Sequence, residues 1–281
     1  DDTLGVTENA NGSGDVLTND TDADGDTLVV SAVNGVAGNV GSAVAGSNGG
    51  TFNVASDGSY TFVPGGDFDD LAVGETRTTT VQYTITDGEG GTDTATVTVT
   101  VTGTNDAPVS TPLSNQSNDD ADVVSVDVSG NFSDPDTNDA LTFSASGLPA
   151  GLSINASTGV ISGTIDNSAS VSGQYSVTIT ATDGSGETTQ QTFTWSVVNP
   201  GPDAVDDTLG VGENANGSGD VIANDTDADG DMLTVSAVNG VAGNVGSAVA
   251  GSNGGTFNVA SDGSYTFVPG GDFDDLAVGE T

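Results

Sequence analysis

The sequence predicts an all-β chain folded as tandem β-sandwiches in an extended array, on three observations. Apolar side chains recur at every second position in short runs, which is the period of a half-buried strand. Helix signals are absent from all 281 residues. Residues 1–76 return at 206–281, an offset of 205, with changes only at Thr7, Leu17, Thr18, Thr27 and Val29, and such near-identity marks a repeat array.

In chain order, "GTFNVASDGSYTF" reads as two short strands around a turn at Asp57 and Gly58. "VQYTITDG" places Val81, Tyr83 and Ile85 on one face, and "TATVTVTVTG" places Ala95, Val97, Val99 and Val101 inward with the threonines in water. "GTNDAP", Gly103 to Pro108, ends this unit, since proline cannot donate to a ladder. The middle unit repeats the pattern in "YSVTITATDG" and "QTFTWSVVNPGP", with Phe193, Trp195 and Val197 inward. Trp195 could serve as a sugar platform, but its register between Phe193 and Val197 makes it a core residue. "NPGPDAVDD", Asn199 to Asp207, is a second proline linker. Three units follow: 1–107, 108–200, and 201–281 as an incomplete copy of the first. The copy lacks counterparts of Arg77 to Thr104, so its core should be open, completed by further residues of an excerpted chain or by strands from another chain.

The charge is extreme: 41 Asp and Glu against one Arg, Arg77, with no Lys or His, a formal net charge of −40. Phosphate binding rests on Lys and Arg, which excludes nucleic acid and anionic membrane as partners. No apolar run reaches the ~20 residues of a membrane span and no signal peptide is visible. Without cysteine there is no disulfide, and metal is the obvious substitute for stabilising small domains. With no His, Cys or Lys, only carboxylate pairs could do acid–base work, and none stands out, so the chain is not read as an enzyme.

"NDTDADGDTL" sets Asp20, Asp22, Asp24 and Asp26 at alternate positions, and the copy sets Asp225, Asp227, Asp229 and Asp231 likewise. Calcium takes six to eight oxygens, and alternating aspartates on a loop can converge on one ion. The first half matches an EF-hand loop; Ser31 and Ser236 then stand where the bidentate Glu should be, and flanking helices are missing, so the cage must be completed from elsewhere. Magnesium demands tighter octahedral geometry and suits the loop less well.

The outer units resemble VCBS and tandem cadherin-like repeats through "VTENANGSGDVLTNDTDADGDTLVVSAV" and "FDDLAVGETRTTTVQYTITDGEGGTDTATVTVTVTGTNDAP". The middle unit resembles the bacterial Ig-like, dystroglycan-type cadherin-like family through "NFSDPDTNDALTFSASGLPAGLSINASTGVISGTI" and "YSVTITATDGSGE". The resemblance implies calcium-dependent sandwiches of RTX-type or biofilm adhesins exported by type I secretion to the bacterial cell surface or biofilm matrix. It adds as ligand candidates Glu8, Asp87, Asn105 and Asp106, with Glu213 in the copy, and Asp134, Asp136, Asp139 and Asp183 in the middle unit. An ion bridging Asp106 to Asp134 and Asp136 would lock the first hinge. The second linker lacks the Asn-Asp pair, so calcium is expected in the outer loops ahead of the second hinge. The expected role is a stalk whose partners are calcium, neighbouring repeats and like chains in a fibre. The alternative is that the sandwiches bind cell-surface glycans or each other, with Phe68 either exposed as a platform or plugging one end of its sandwich.

Overall fold

The computed structural model describes residues 1–137 and 139–277. Among them there is no α-helix, only strands and short 3-10 turns. The first unit contains β1 (Asp2–Thr7), β2 (Gly12–Asp15), β3 (Val29–Val33), β4 (Ala43–Ala45), β5 (Thr51–Val54), β6 (Ser59–Val63), β7 (Thr76–Thr86) and β8 (Thr92–Thr102). They form two four-stranded sheets, ordered β1-β8-β7-β3 and β2-β6-β5-β4. Every pairing is antiparallel except β1 with β8, which runs parallel from Asp2 opposite Val97 to Thr7 opposite Thr102.

The alternation in β7 and β8 sends Val81, Tyr83, Val97, Val99 and Val101 between the sheets, where they meet Phe52, Val54 and Phe62. Burying each such side chain contributes about 1.5–3 kcal/mol. Phe68 is fully buried, 6.3 Å from the Phe62 ring centroid and beneath the Arg77 guanidinium at 5.7 Å. It therefore plugs the sandwich and offers no surface to a sugar. At the β5–β6 turn Asp57 accepts from the backbone and hydroxyl of Ser59 at 3.1 and 2.7 Å, and Gly58 takes φ of 89°, as a tight turn requires.

The middle unit has β9 (Val109–Ser110), β10 (Gln116–Asp119), β11 (Val123–Asp127), β12 (Phe132–Ser133), β13 (Thr142–Ser146), β14 (Leu152–Ile154), β15 (Val160–Thr164), β16 (Gln174–Thr182) and β17 (Thr188–Val198). Its sheets are β10-β17-β16-β13, β11-β15-β14 and the short pair β12-β9. β10 again lies parallel to the last strand, β17. Trp195 is fully buried in this core, and its indole N–H donates to Asn118 Oδ1 at 3.1 Å, satisfying its one polar atom.

The third unit forms a single sheet, β18-β21-β20-β19, from β18 (Gly217–Asp220), β19 (Ala248–Ala250), β20 (Thr256–Val259) and β21 (Ser264–Val268). Residues matching β1 and β3 are not strands here, because their pairing partners in the first unit are β8 and β7, and the described residues 206–277 include no counterpart of those. Leu209 and Val211 are 40% and 38% exposed, whereas Leu4 and Val6 pack on the first core. With Val221, Phe257, Val259 and Phe267 they line an apolar cleft of about 310 Å³. The open core expected of the copy is what the residues up to 277 show; Val278 to Thr281 lie outside the described residues.

Candidate metal centre

Where the first unit meets the middle one, three segments converge. Parallel pairing with β8 brings the end of β1 alongside the linker, and Glu8, only 2% exposed, takes the Thr104 N–H at 2.5 Å and the Thr104 hydroxyl at 2.7 Å on Oε1. The linker then delivers Asn105, whose amide donates to Asp183 Oδ2 at 2.8 Å, and Asp106, whose backbone N–H donates to Asp136 Oδ2 at 3.0 Å. From the loop after β12, the Thr137 backbone and hydroxyl donate to the Asp70 carbonyl at 3.2 and 2.8 Å, clasping the two units.

One oxygen on each of Glu8 (Oε2), Asn105 (Oδ1), Asp134 (Oδ2) and Asp136 (Oδ1) is buried without a hydrogen-bond partner. Buried polar atoms are nearly always paired, and buried charge is costly unless compensated. Asp134, Asp136 and Asp139 each place a carboxylate oxygen within 4.8 Å of the others. The donors are all oxygens, carboxylate or amide, which fits a hard divalent cation of high coordination number. When bound, such an ion would supply the positive charge these oxygens lack.

The titration behaviour agrees. Burial, followed by the charges of Glu8, Asp69, Asp136 and Asp134, pushes the Asp106 carboxyl above the usual range. Asp134 is pushed up first by burial, against an opposing hydrogen bond from the Asp136 N–H, with Asp136, Asp139 and Asp183 adding to the rise. Asp183 is held low by the Asn105 amide and by the backbone N–H groups of Ser185, Gly186 and Glu187 that cap its turn.

The remaining candidates are not drawn into this centre. In the first loop Asp22 Oδ1 accepts from the backbone N–H groups of Asp24, Gly25 and Asp26 at 2.8, 2.9 and 3.1 Å, which shapes the turn. Asp20 and Asp2 accept the Tyr83 hydroxyl at 3.2 and 2.8 Å, while Asp24 and Asp26 are exposed. Asp87 closes the β7–β8 turn through Glu89, Gly90 and Gly91. In the copy, Glu213 accepts from Asn214 and Asp225 from the Val205 N–H, Asp231 is exposed, and the Asp229 and Asp231 backbones donate to Asp227 at 3.2 and 3.4 Å. Asp229 is 7% exposed, and its carboxyl lies against that of Asp227, which holds Asp227 low and pushes Asp229 up.

Two residues escaped the sequence reading. Asp69 adds charge beside Asp106, and Asp120, 3% exposed with Oδ2 unpartnered, follows β10 as Glu8 follows β1. The signal for Asp120 was an interval: Glu8, Asp120 and Glu213 each stand 14 positions before Asp22, Asp134 and Asp227.

Residues 1–103 match the model of a bacterial cadherin-like domain, 107–198 that of a putative Ig domain, and 199–278 that of a bacterial Ig domain. The chain thus carries bacterial cadherin-like and Ig-like domains in tandem. No curated protein matches significantly. Among solved structures, mouse cadherin-23 EC22-24 aligns at 16% identity over 95% of this chain and 84% of that one, with a TM-score of 0.47. The human CDH23 EC21-23 fragment aligns at 16% identity, 95% and 87% coverage and a TM-score of 0.48. An endo-fucoidan hydrolase of glycoside hydrolase family 107 aligns at 19% identity over 70% of this chain, with a TM-score of 0.28, and the chain spans 27% of its length.

Proposed function

We propose that this chain is a calcium-stiffened segment of a large bacterial surface adhesin or extracellular matrix fibre, serving as stalk rather than as catalyst. The observation that carries it is the set of four buried, unpartnered oxygens contributed from both sides of the first junction. A bound cation would tie Glu8 and Asn105 to Asp134 and Asp136, so that bending at the linker would break ligand contacts. The fold supports spacing, since β1 lies parallel to β8 and the chain enters and leaves the unit at opposite ends. Among the described residues no helix is long and apolar enough to cross a membrane.

The test is small-angle scattering of the metal-free chain before and after adding millimolar calcium, beside melting curves in chelator. The expected result is a rod whose maximum dimension is maintained in calcium and broadly distributed without it, with a melting temperature that sodium at equal ionic strength does not restore. A compact particle in calcium, or a melt indifferent to chelator, would refute the stalk.

A further inference from the structure

We infer that Asn239–Gly240 is a site of spontaneous deamidation and backbone isomerisation in the third unit, a reaction from which β7 shields the same pair, Asn34–Gly35, in the first. The repeat writes one reactive dipeptide twice, and among the described residues only the first copy has a strand against it.

In an Asn-Gly pair the glycine backbone nitrogen attacks the asparagine Cγ. The new bond closes a five-membered succinimide, the bond from Cγ to the side-chain nitrogen breaks, and that nitrogen leaves as ammonia with the proton the backbone N–H gave up. Water then adds to either ring carbonyl. One opening leaves aspartate; the other leaves isoaspartate, whose chain runs through the side chain and is one methylene longer. Glycine has no Cβ to screen its nitrogen, and the ring closes only when backbone and side chain are free to turn towards each other. Hydrogen bonds that pin the asparagine therefore hold the reaction back, and its rate follows the fraction of time the turn is open.

The turn itself is the same in both copies. Val33 and Val36 exchange backbone bonds at 3.2 and 3.0 Å, Val238 and Val241 at 3.2 and 3.1 Å, and the two asparagines, both exposed, take φ of 49° and 52°. What differs is the neighbour. The Asn34 N–H donates to the Gln82 carbonyl at 2.8 Å and its Oδ1 accepts from the Gln82 N–H at 3.0 Å, so β7 holds both its backbone and its side chain. Asn239 has neither bond among the described residues. A second pair repeats the contrast. The Asn48 N–H donates to Thr79 Oγ1 at 3.2 Å and its amide to the Thr78 carbonyl at 2.8 Å, while Asn253 has no such strand beside it. The Gly254 N–H still donates to the Gly251 carbonyl at 3.3 Å, so Asn253 should react more slowly than Asn239. A third pair is the control. Asn11 and Asn216 are both exposed, neither is bonded to β7, and the glycines that follow pair alike with Phe62 and Phe267. The exchange with Gln82 seats β7 against the turn in the first unit. Isoaspartate at 239 would leave the third unit unable to seat such a strand, so the modification is a lasting record that its turn stood uncovered.

The experiment incubates the full chain in mildly alkaline buffer and follows deamidation by mass after cleavage before aspartate. That cut releases 26–56 and 231–261, which differ in mass through Thr27 against Met232 and Val29 against Thr234, and fragmentation assigns the asparagine within each. An aspartate product is cut anew and isoaspartate is not, so both products are counted. Asn239 is expected to convert about tenfold faster than Asn34, the factor that two ordinary hydrogen bonds lend to a local opening. Asn253 should outpace Asn48, whereas Asn11 and Asn216, on 2–14 and 207–219, should keep pace with each other. In urea the lead of Asn239 should vanish, because Ser31 to Val54 and Ser236 to Val259 are identical. Equal rates at Asn34 and Asn239 in the folded chain would overturn the proposal, and so would a lead that survives urea. A matching lead of Asn216 over Asn11 would assign the difference to general loosening of the third unit and refute β7 as the guard.

Discussion

Asp136→Asn should reverse the sign of its effect on stability when calcium is withdrawn. The substitution preserves volume and an acceptor for the Asp106 N–H, so it changes charge with little change in packing. In chelator, Asp136 sits with an oxygen within 4.8 Å of those on Asp134 and Asp139. At an effective dielectric of 20, a pair at that separation repels by about 3.5 kcal/mol. Proton uptake by Asp134, whose carboxyl is already pushed up by burial, relieves part of this. A net gain of about 1–2 kcal/mol for the variant is expected, or a rise of roughly 4–16 °C for a domain of about 100 residues. In calcium at a hundred times Kd, the wild type gains about 2.7 kcal/mol by mass action, and the variant forfeits most of it, which outweighs its gain in chelator. Trp195 is the one tryptophan in the chain, so its emission follows the melting of the middle unit, which holds Asp136. Destabilisation of equal size in calcium and in chelator would show that Asp136 acts through packing alone, and the cation argument would fall.

Gly103→Ala should destabilise the first unit by about 1–3 kcal/mol, the cost of overpacking, because its methyl would land on the Leu71 and Ala72 carbonyl oxygens; an unchanged melt would contradict that contact. Trp195→Ala should cost about 3–5 kcal/mol in the middle unit, read by circular dichroism, while hydrogen exchange in β7 and β8 stays as it was. Exchange should also be fast across 206–277 and slow in the first unit, and appending a copy of Arg77 to Thr104 should restore protection; slow exchange in a monomeric, unextended chain would mean those strands are dispensable. In chelator the pH profile should peak near about pH 4. Asp106 and Asp134 have raised folded values, so their contribution is present below 3.8 and lost as pH rises through those values. Asp122 and Asp183 are depressed, and theirs is lost as pH falls below 3.8. Calcium should remove the decline towards neutrality, and a melting temperature that climbs from pH 4 to 7 in chelator would refute the assignment.

The two halves of the repeat show why part of this was legible and part was not. β7, β8, β16 and β17 announce themselves because runs of alternation within them, Val81 to Ile85, Ala95 to Val101, Tyr175 to Ala181 and Phe193 to Val197, leave one face for a core. β1 carries no such instruction. The run "DTLG" is a strand at Asp2 to Gly5 and is not one at Asp207 to Gly210, since the pairing partner decides. The aspartate loop divides the same way. Its local hydrogen bonds, centred on Asp22, Asp134 and Asp227, are what alternating aspartates encode, but Asp136 and Asp229 are buried where segments far from the loop reach them, Asp106 at the one and Asn167 at the other. Asp120 was hidden among Asp119 and Asp122 in a stretch that reads as an ordinary turn, and only the interval to Asp134 set it apart.

The parallel pairing of first and last strands has a mechanical consequence. A pull on the two ends of the first unit slides β1 along β8, so the bonds spanning all six register pairs from Asp2–Val97 to Thr7–Thr102 are stressed together. The four pairs of β10 with β17 would share tension in the same way. Antiparallel hairpins pulled at their open ends yield one bond at a time, at far lower force. Under tension the first unit, with six such pairs, should therefore hold longer than the middle unit with four.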